Sequence, residues 1–248
     1  MPHNFTVSPD FNPSHISGWY IFNTWLQRAI NEEIHLELYN SADDQRKAIS
    51  DDQIDLIYAN PYDASVLVRD KGFTPIARAD NKADEAIIAV NHDSPILNVE
   101  QLTAGTRISS TGDPDVRMMC MIMLEPAGLD KDNTMLTQRD AYILIAKDLL
   151  KNDADIGFFL EETYNELSEI TKKQLRPIVQ SQIHVIHHLL LAGPKLAHKK
   201  DEIQSSLLSM NNNPKGPGVL KSLNFESWSA VEQEEAEFMI DLMDTLAD

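Results

Sequence analysis

Cysteine is nearly absent: Cys120 stands alone in 248 residues. That excludes an internal disulfide framework and any paired-cysteine metal site. Positive charge is scarce as well, with 21 Lys and Arg against 39 Asp and Glu, a net charge of -18. A nucleic-acid backbone demands clustered Lys and Arg, and an anionic membrane surface demands the same, so both are excluded as partners. No apolar run reaches the roughly 18 residues a spanning helix needs. No charged n-region or apolar h-region precedes the first predicted strand at Phe5. Either an export signal has been removed, or the chain is cytoplasmic with Met1 as its native start. Solenoid repeats and low-complexity tracts are also missing.

What is present is 42% hydrophobic residues, enough for one large α/β domain or two lobes of half the size. Strands are predicted at Phe5–Ser8, Ile34–Tyr39, Ile54–Ala59 and Phe73–Arg78, then at Glu85–Val90, Thr106–Ser109, Ala154–Phe159 and Ile183–Leu191. Between them, Ile21, Phe22, Trp25, Leu26, Ala29 and Ile30 recur at helical spacing, with Ser14 or Ser17 as the N-cap. Ser41 with Asp44 resembles a capping box, and so does Ser229 with Glu232. Gly72 is placed as a C′ glycine, and Gln138–Lys151 reads as one amphipathic helix. Strands alternating with helices at this interval imply a largely parallel α/β sheet.

One stretch organises the rest: Ser109-Ser110-Thr111-Gly112-Asp113-Pro114-Asp115. A strand ends, three hydroxyls and a glycine follow, and Pro114 opens a helix at the position where a missing N–H costs nothing. Unpaired N–H groups at a helix start, with hydroxyls beside them, make a cradle for an oxyanion. The alternative is that Asp113 caps the helix with its own carboxylate. Two further turns share this grammar, from Ser8 to Ser17 and from Tyr58 through Asn60 and Pro61 to Tyr62. In open α/β sheets ligands sit beyond the carboxyl ends of strands.

The runs Ser41–Gln45, Asp55-Leu56-Ile57-Tyr58-Ala59-Asn60-Pro61-Tyr62-Asp63-Ala64 and Gly72-Phe73-Thr74-Pro75-Ile76-Ala77-Arg78 carry a family resemblance. With Asp93–Ile96, Ser109–Gly112, Asp140-Ala141-Tyr142 and Ala154–Gly157, they resemble the phosphate/phosphonate-binding substrate-binding proteins of ABC transporters. The resemblance implies a type II periplasmic-binding-protein fold with lobe I at 1–82 and 189–248 and lobe II at 83–188. Each lobe is a mixed, mostly parallel sheet flanked by helices, and the lobes close like a hinge on a small anionic or amphoteric ligand. By position, Ser109, Ser110, Thr111 and Gly112 would grip the oxyanion, with Tyr58, Tyr62, Asn60, Trp19 and Ser8 contributed by the first lobe. Glu161 matches the place of an acid that meets a ligand amine, and Arg139 stands where phosphonate binders often have a histidine.

Each of these residues also has a plainer reading. Tyr58 and Tyr62 fit as core aromatics with a wet tip, Glu161 and Glu162 as a solvated helix start, and Arg139 as a salt-bridge residue. His184, His187 and His188 suggest a metal, yet on a strand only His184 and His188 would share a face. Capture of a small oxyanion for ABC-type uptake, by a non-enzymatic protein with no cofactor and a permease as partner, is the leading expectation. A ligand-sensing module acting through a signalling partner is one alternative. An enzyme of menaquinone- or thiamine-pathway type on the same fold is the other, although no Ser/His/Asp arrangement is apparent.

Overall fold

A computed structural model describes residues 2–80 and 82–247. The chain divides into two units, Met1–Ala83 with Ile186–Thr245, and Asp84–Val185 with Leu246–Asp248.

The first unit starts with strand β1 (His3–Val7), helix α1 (Ile16–Ile30), β2 (Ile34–Leu36), α2 (Ala42–Ser50), β3 (Leu56–Ala59), α3 (Pro61–Arg69) and β4 (Thr74–Ala79). The second comprises β5 (Ala86–Asn91), β6 (Arg107–Thr111), α4 (Pro114–Leu124), β7 (Met135–Arg139), α5 (Tyr142–Lys151), β8 (Ile156–Leu160), α6 (Glu161–Asn165), α7 (Glu169–Lys172) and β9 (Leu175–Gln180). The chain then returns to the first unit as β10 (Leu189–Ala192), α8 (Lys200–Leu208), α9 (Gly216–Ser222), β11 (Trp228–Ala230) and α10 (Gln233–Ala247).

The sheet of the first unit runs β11-β4-β10-β3-β1-β2. Strands β1, β2 and β3 are parallel, with Phe5 opposite both Leu36 and Leu56. β10 lies antiparallel between β3 and β4, placing Leu190 opposite Tyr58 and Ala77. Its side chains alternate between two cores. Leu190 joins Phe5, Phe22, Leu26 and Trp228 on one face, while Leu189 and Leu191 join Ile57, Leu67 and Ile240 on the other. A sheet covered on both faces needs continuous apolar strands, and Leu-Leu-Leu-Ala supplies one. Trp19, Phe22, Leu26 and Ile30 give α1 its buried stripe. Gly18 on the same helix is required by proximity, because a Cβ there would come within 2.2 Å of Ser222 O on α9.

The sheet of the second unit runs β7-β6-β8-β5-β9. β6 is parallel to β7 and β8, so Ser109 sits between Thr137 and Gly157. β5 is antiparallel to β8 and β9.

Several expected boundaries move. The helix over 138–151 divides: Met135–Arg139 is an edge strand paired with β6, and the helix starts at Tyr142. Both faces of that strand are exposed, so no apolar alternation marked it. The edge strand β9 carries no such alternation either and went unpredicted. Neither Ser14 nor Ser17 caps α1; a short 3-10 turn at Pro13–His15 precedes it, and Asn12 accepts the Ser14 N–H. Ser229 belongs to β11 rather than to a capping box. The strand predicted at Ile183–Leu191 begins only at Leu189, and His184 has a left-handed backbone (φ 61). The shared face assigned to His184 and His188 is therefore withdrawn.

Candidate functional site

In the first unit the carboxyl ends of β1 and β3 lie side by side, and two of the three polar turns meet there. Ser8 N–H donates to Tyr58 O at 2.9 Å, and Ser8 Oγ accepts the Asn60 N–H at 2.9 Å. Asn60 caps α3 by accepting the Asp63 N–H at 2.8 Å, with Pro61 at the first helical position. Its Nδ2 lies 3.5 Å from Asp10 Oδ2. Asp10 in turn faces His188, whose Nε2 is 3.1 Å from both carboxylate oxygens. Burial alone would push the Asp10 carboxyl up, but the His188 ring and the hydrogen bonds around it hold it below the usual value. Tyr58 stacks on His188 at 5.3 Å and meets Trp19 at 5.1 Å with its ring tilted by 40°.

Ser8 and Asn60 are thus tied into the turn itself, and Trp19 is 2% exposed inside an aromatic core with Phe5, Phe22 and Phe225. For Trp19 a direct ligand contact gives way to a packing role, because no face of the indole reaches solvent. Tyr62 is different: its ring is 48% exposed and carries the Arg46 guanidinium 4.8 Å from its centroid. Arg46 also donates to Asp63 at 2.7 Å.

In the second unit β6 delivers the three hydroxyls, and each has a definite setting. Ser109 is fully buried, and its Oγ donates to Asp148 Oδ2 at 2.7 Å. Ser110 is also buried, and its Oγ lies 3.2 Å from Thr111 O. Thr111 Oγ1 accepts the Asp113 N–H at 3.3 Å. A Cβ on the exposed Gly112 would approach Gln138 Nε2 to 2.9 Å, so the Gln138 amide lies directly against this turn.

Two expectations are corrected here. Asp113 Oδ1 accepts the N–H groups of Asp115 at 3.1 Å and Val116 at 3.3 Å, so the first amides of α4 are not open donors. The other carboxylate oxygen accepts from Tyr142 OH at 3.0 Å. Arg139 pairs in two-point fashion with Asp148, at 2.6 and 3.1 Å. The fork expected to face an external anion is occupied by an internal one. Burial opposes ionisation of Asp148, yet Arg139 and Ser109 hold its carboxyl below the usual value. Glu161 opens α6, its N–H donating to Glu85 O at 2.7 Å.

Asp10, Arg46, Gln138 and Asp148 were missed by sequence reasoning, and His188 was weighed only as a metal ligand. For Asp148 a signal existed, since it lies on the apolar face of α5 beside Ile145 and Leu149. An acid at a core-facing helical position implies a buried partner. His184 and His188 each meet a carboxylate, Glu85 at 3.5 Å and Asp10 at 3.1 Å, in different units. Among the described residues no cluster of three or more His, Cys, Asp or Glu could hold a metal ion.

The family model for the phosphonate-type periplasmic substrate-binding protein of ABC transporters matches residues 5–236. The chain belongs to this family. It is a substrate-binding protein of an ABC transporter, built to capture a ligand for transport and not to transform it. No curated protein sequence matches the chain. Among solved structures it resembles PhnD1 from Prochlorococcus marinus in complex with methylphosphonate, with a TM-score of 0.83 at 14% identity, covering 98% of this chain and 97% of that one. A binding component of an ABC phosphonate transporter from Pseudomonas aeruginosa gives 0.78 at 15% identity, covering 100% and 89%. The periplasmic aliphatic sulphonate binding protein SsuA from Escherichia coli gives 0.69 at 14% identity, covering 98% and 91%. The fold is that of type II periplasmic binding proteins, with a mixed sheet flanked by helices in each unit. The family is periplasmic, and no helix among the described residues is long and apolar enough to cross a membrane.

Proposed function

We propose that this substrate-binding protein captures a small ligand bearing a tetrahedral oxyanion, of the phosphonate, phosphate or sulfonate class, in the periplasm, and delivers it to an ABC permease. The family match over residues 5–236 carries this reading. The local chemistry supports it: at the β6–α4 turn Ser110, Thr111, Gly112 and the Gln138 amide offer neutral polar groups where the strand ends. Tyr62, exposed on the first turn of α3, is assigned to a ligand's organic part. Ser109 and Arg139 act one step back, through Asp148, which fixes the strand end from which Thr111 projects. Glu161 is assigned to a ligand amine where one is present. Three or four charge-assisted hydrogen bonds of about 1.5–3 kcal/mol each, less the cost of ordering, correspond to roughly micromolar binding. No observation favours the signalling or enzymatic alternative.

Isothermal titration of the full chain with methylphosphonate, phosphate, an alkyl sulfonate and acetate tests the reading. At least one tetrahedral oxyanion is expected to bind, and Thr111→Val to weaken it about tenfold or more. A folded chain that responds to none of them overturns the assignment.

A further inference from the structure

We infer that Glu85 is a pin: it ties together the two chain segments that connect the units, and holds the returning segment in the course that ligand capture requires. The chain enters the second unit between Ala83 and Asp84 and returns to the first between Val185 and Ile186. Glu85 lies just past the first crossing and is 2% exposed. Both of its carboxylate oxygens reach the stretch that precedes the second crossing. Oε2 accepts the Ser181 hydroxyl, and Oε1 accepts the His184 N–H at 2.6 Å. Ser181 Oγ in turn accepts the Ala86 N–H at 2.8 Å, and Ala86 O accepts the Ser181 N–H at 2.9 Å. The exposed His184 ring adds Nδ1 at 3.5 Å from Oε1.

A buried carboxyl group has to be answered by hydrogen bonds, and the side chain of Glu85 takes them from residues 96 and 99 positions away. Residues 181–188 belong to no helix or strand, so these directional bonds give the stretch its path. His184 has a left-handed backbone (φ 61), a conformation disfavoured for a residue with a Cβ, and the bond to Oε1 holds it there. On its other side Glu85 O accepts the Glu161 N–H at 2.7 Å, which joins the pin to the acid assigned to a ligand amine. A binding protein loses apparent affinity in proportion to the time it spends outside its competent arrangement. Tying the entering and returning segments to each other removes their independent motion and keeps that loss small. Glu85 is therefore a positioning residue, acting through the two segments rather than on the ligand. Its effect on affinity rests on the reading of the protein as an oxyanion binder; its effect on the segment does not.

The test compares wild type, Glu85→Ala and Glu85→Gln as full chains, by amide hydrogen exchange and by titration calorimetry. The titrant is whichever of methylphosphonate, phosphate and an alkyl sulfonate binds wild type most tightly. In Glu85→Ala, exchange across 181–188 is expected to speed up about tenfold or more, while β3 and β6 change by less than about twofold. Its Kd is expected to rise about five- to tenfold. Glu85→Gln keeps an acceptor for the His184 N–H and a donor for Ser181 Oγ, so it is expected to stay within about twofold of wild type in both readouts. If Glu85→Ala does not fold, Ser181→Ala, which removes one of the two ties, carries the same comparison. Unchanged exchange at 181–188, or an equal rise throughout the chain, overturns the pin. Faster local exchange with an unchanged Kd overturns its part in capture, and a Glu85→Gln as impaired as Glu85→Ala overturns the hydrogen-bond account. A wild type that binds none of the three anions overturns the proposed function, and the exchange data then decide the pin by themselves.

Discussion

At the β3–α3 turn a neutral amide caps the helix: Asn60 accepts one N–H, from Asp63, at 2.8 Å. At the β6–α4 turn a carboxylate does so, with Asp113 accepting two, from Asp115 and Val116. Both turns place proline at the first helical position, and both follow a parallel strand. The surroundings differ. Around Asn60 the acids are balanced, Asp63 by Arg46 at 2.7 Å and Asp10 by His188 at 3.1 Å. At Asp113 the Tyr142 hydroxyl donates to the carboxylate oxygen that does not cap the helix, and the nearby Arg139 forks onto Asp148. The same local grammar thus yields a cap of neutral amide in one unit and of carboxylate in the other.

The largest expected effect comes from removing the internal anion of the second unit. Asp148→Ala leaves the buried Ser109 hydroxyl without its acceptor and releases Arg139, and is expected to cost about 2–3 kcal/mol in urea denaturation. A cost below about 0.5 kcal/mol would show that this anchor is dispensable. Next come the caps. Asn60→Ala is expected to cost about 1–2 kcal/mol and Asp113→Ala about 1 kcal/mol, because Asn60 is 3% exposed and also lies against Asp10. Equal costs would erase the distinction between the turns.

Acid sensitivity sharpens the comparison further. Asp148 and Asp10 both titrate below the ordinary carboxylate value of 3.8. For a depressed carboxyl, the stabilisation is complete above the unfolded value and is lost as pH falls through the folded one. The stability gap between wild type and Asp148→Asn should therefore be constant from neutrality down to about pH 4 and shrink below it. A gap that widens on acidification would contradict the assigned ion pair. Smallest is Gly112→Ala. Its Cβ would displace only the end of the exposed Gln138 side chain, so a change within about 0.5 kcal/mol is expected from thermal denaturation.

Much of the framework was legible because central strands and amphipathic helices have strong periods. Trp19, Phe22, Leu26 and Ile30 announce α1, and Pro61 and Pro114 announce the starts of α3 and α4. Of the edge strands β2 was legible, whereas β7, β9 and β11 were not. Met135–Arg139 is held by backbone pairing to β6 and shows no alternation to read. At the candidate site, sequence could rank Asp113 as a possible cap but not establish that it wins both amides. That outcome depends on Tyr142, 29 residues away, donating to the other oxygen. Likewise, Asp10 meeting His188 across 178 residues is a product of topology, with no short-range signal.

Strand β10 sits in the middle of the first unit's sheet, yet is made after residues 84–185 of the second unit. As the chain leaves the ribosome, β1 to β4 therefore emerge as a split sheet, with the places beside β3 and β4 unfilled until Leu189–Ala192 is synthesised. Residues 84–185 of the second unit lie between them as one continuous stretch. Completion of the first unit waits on pairing across more than a hundred residues, the kind of distant closure that slows folding and leaves strand edges open to wrong partners.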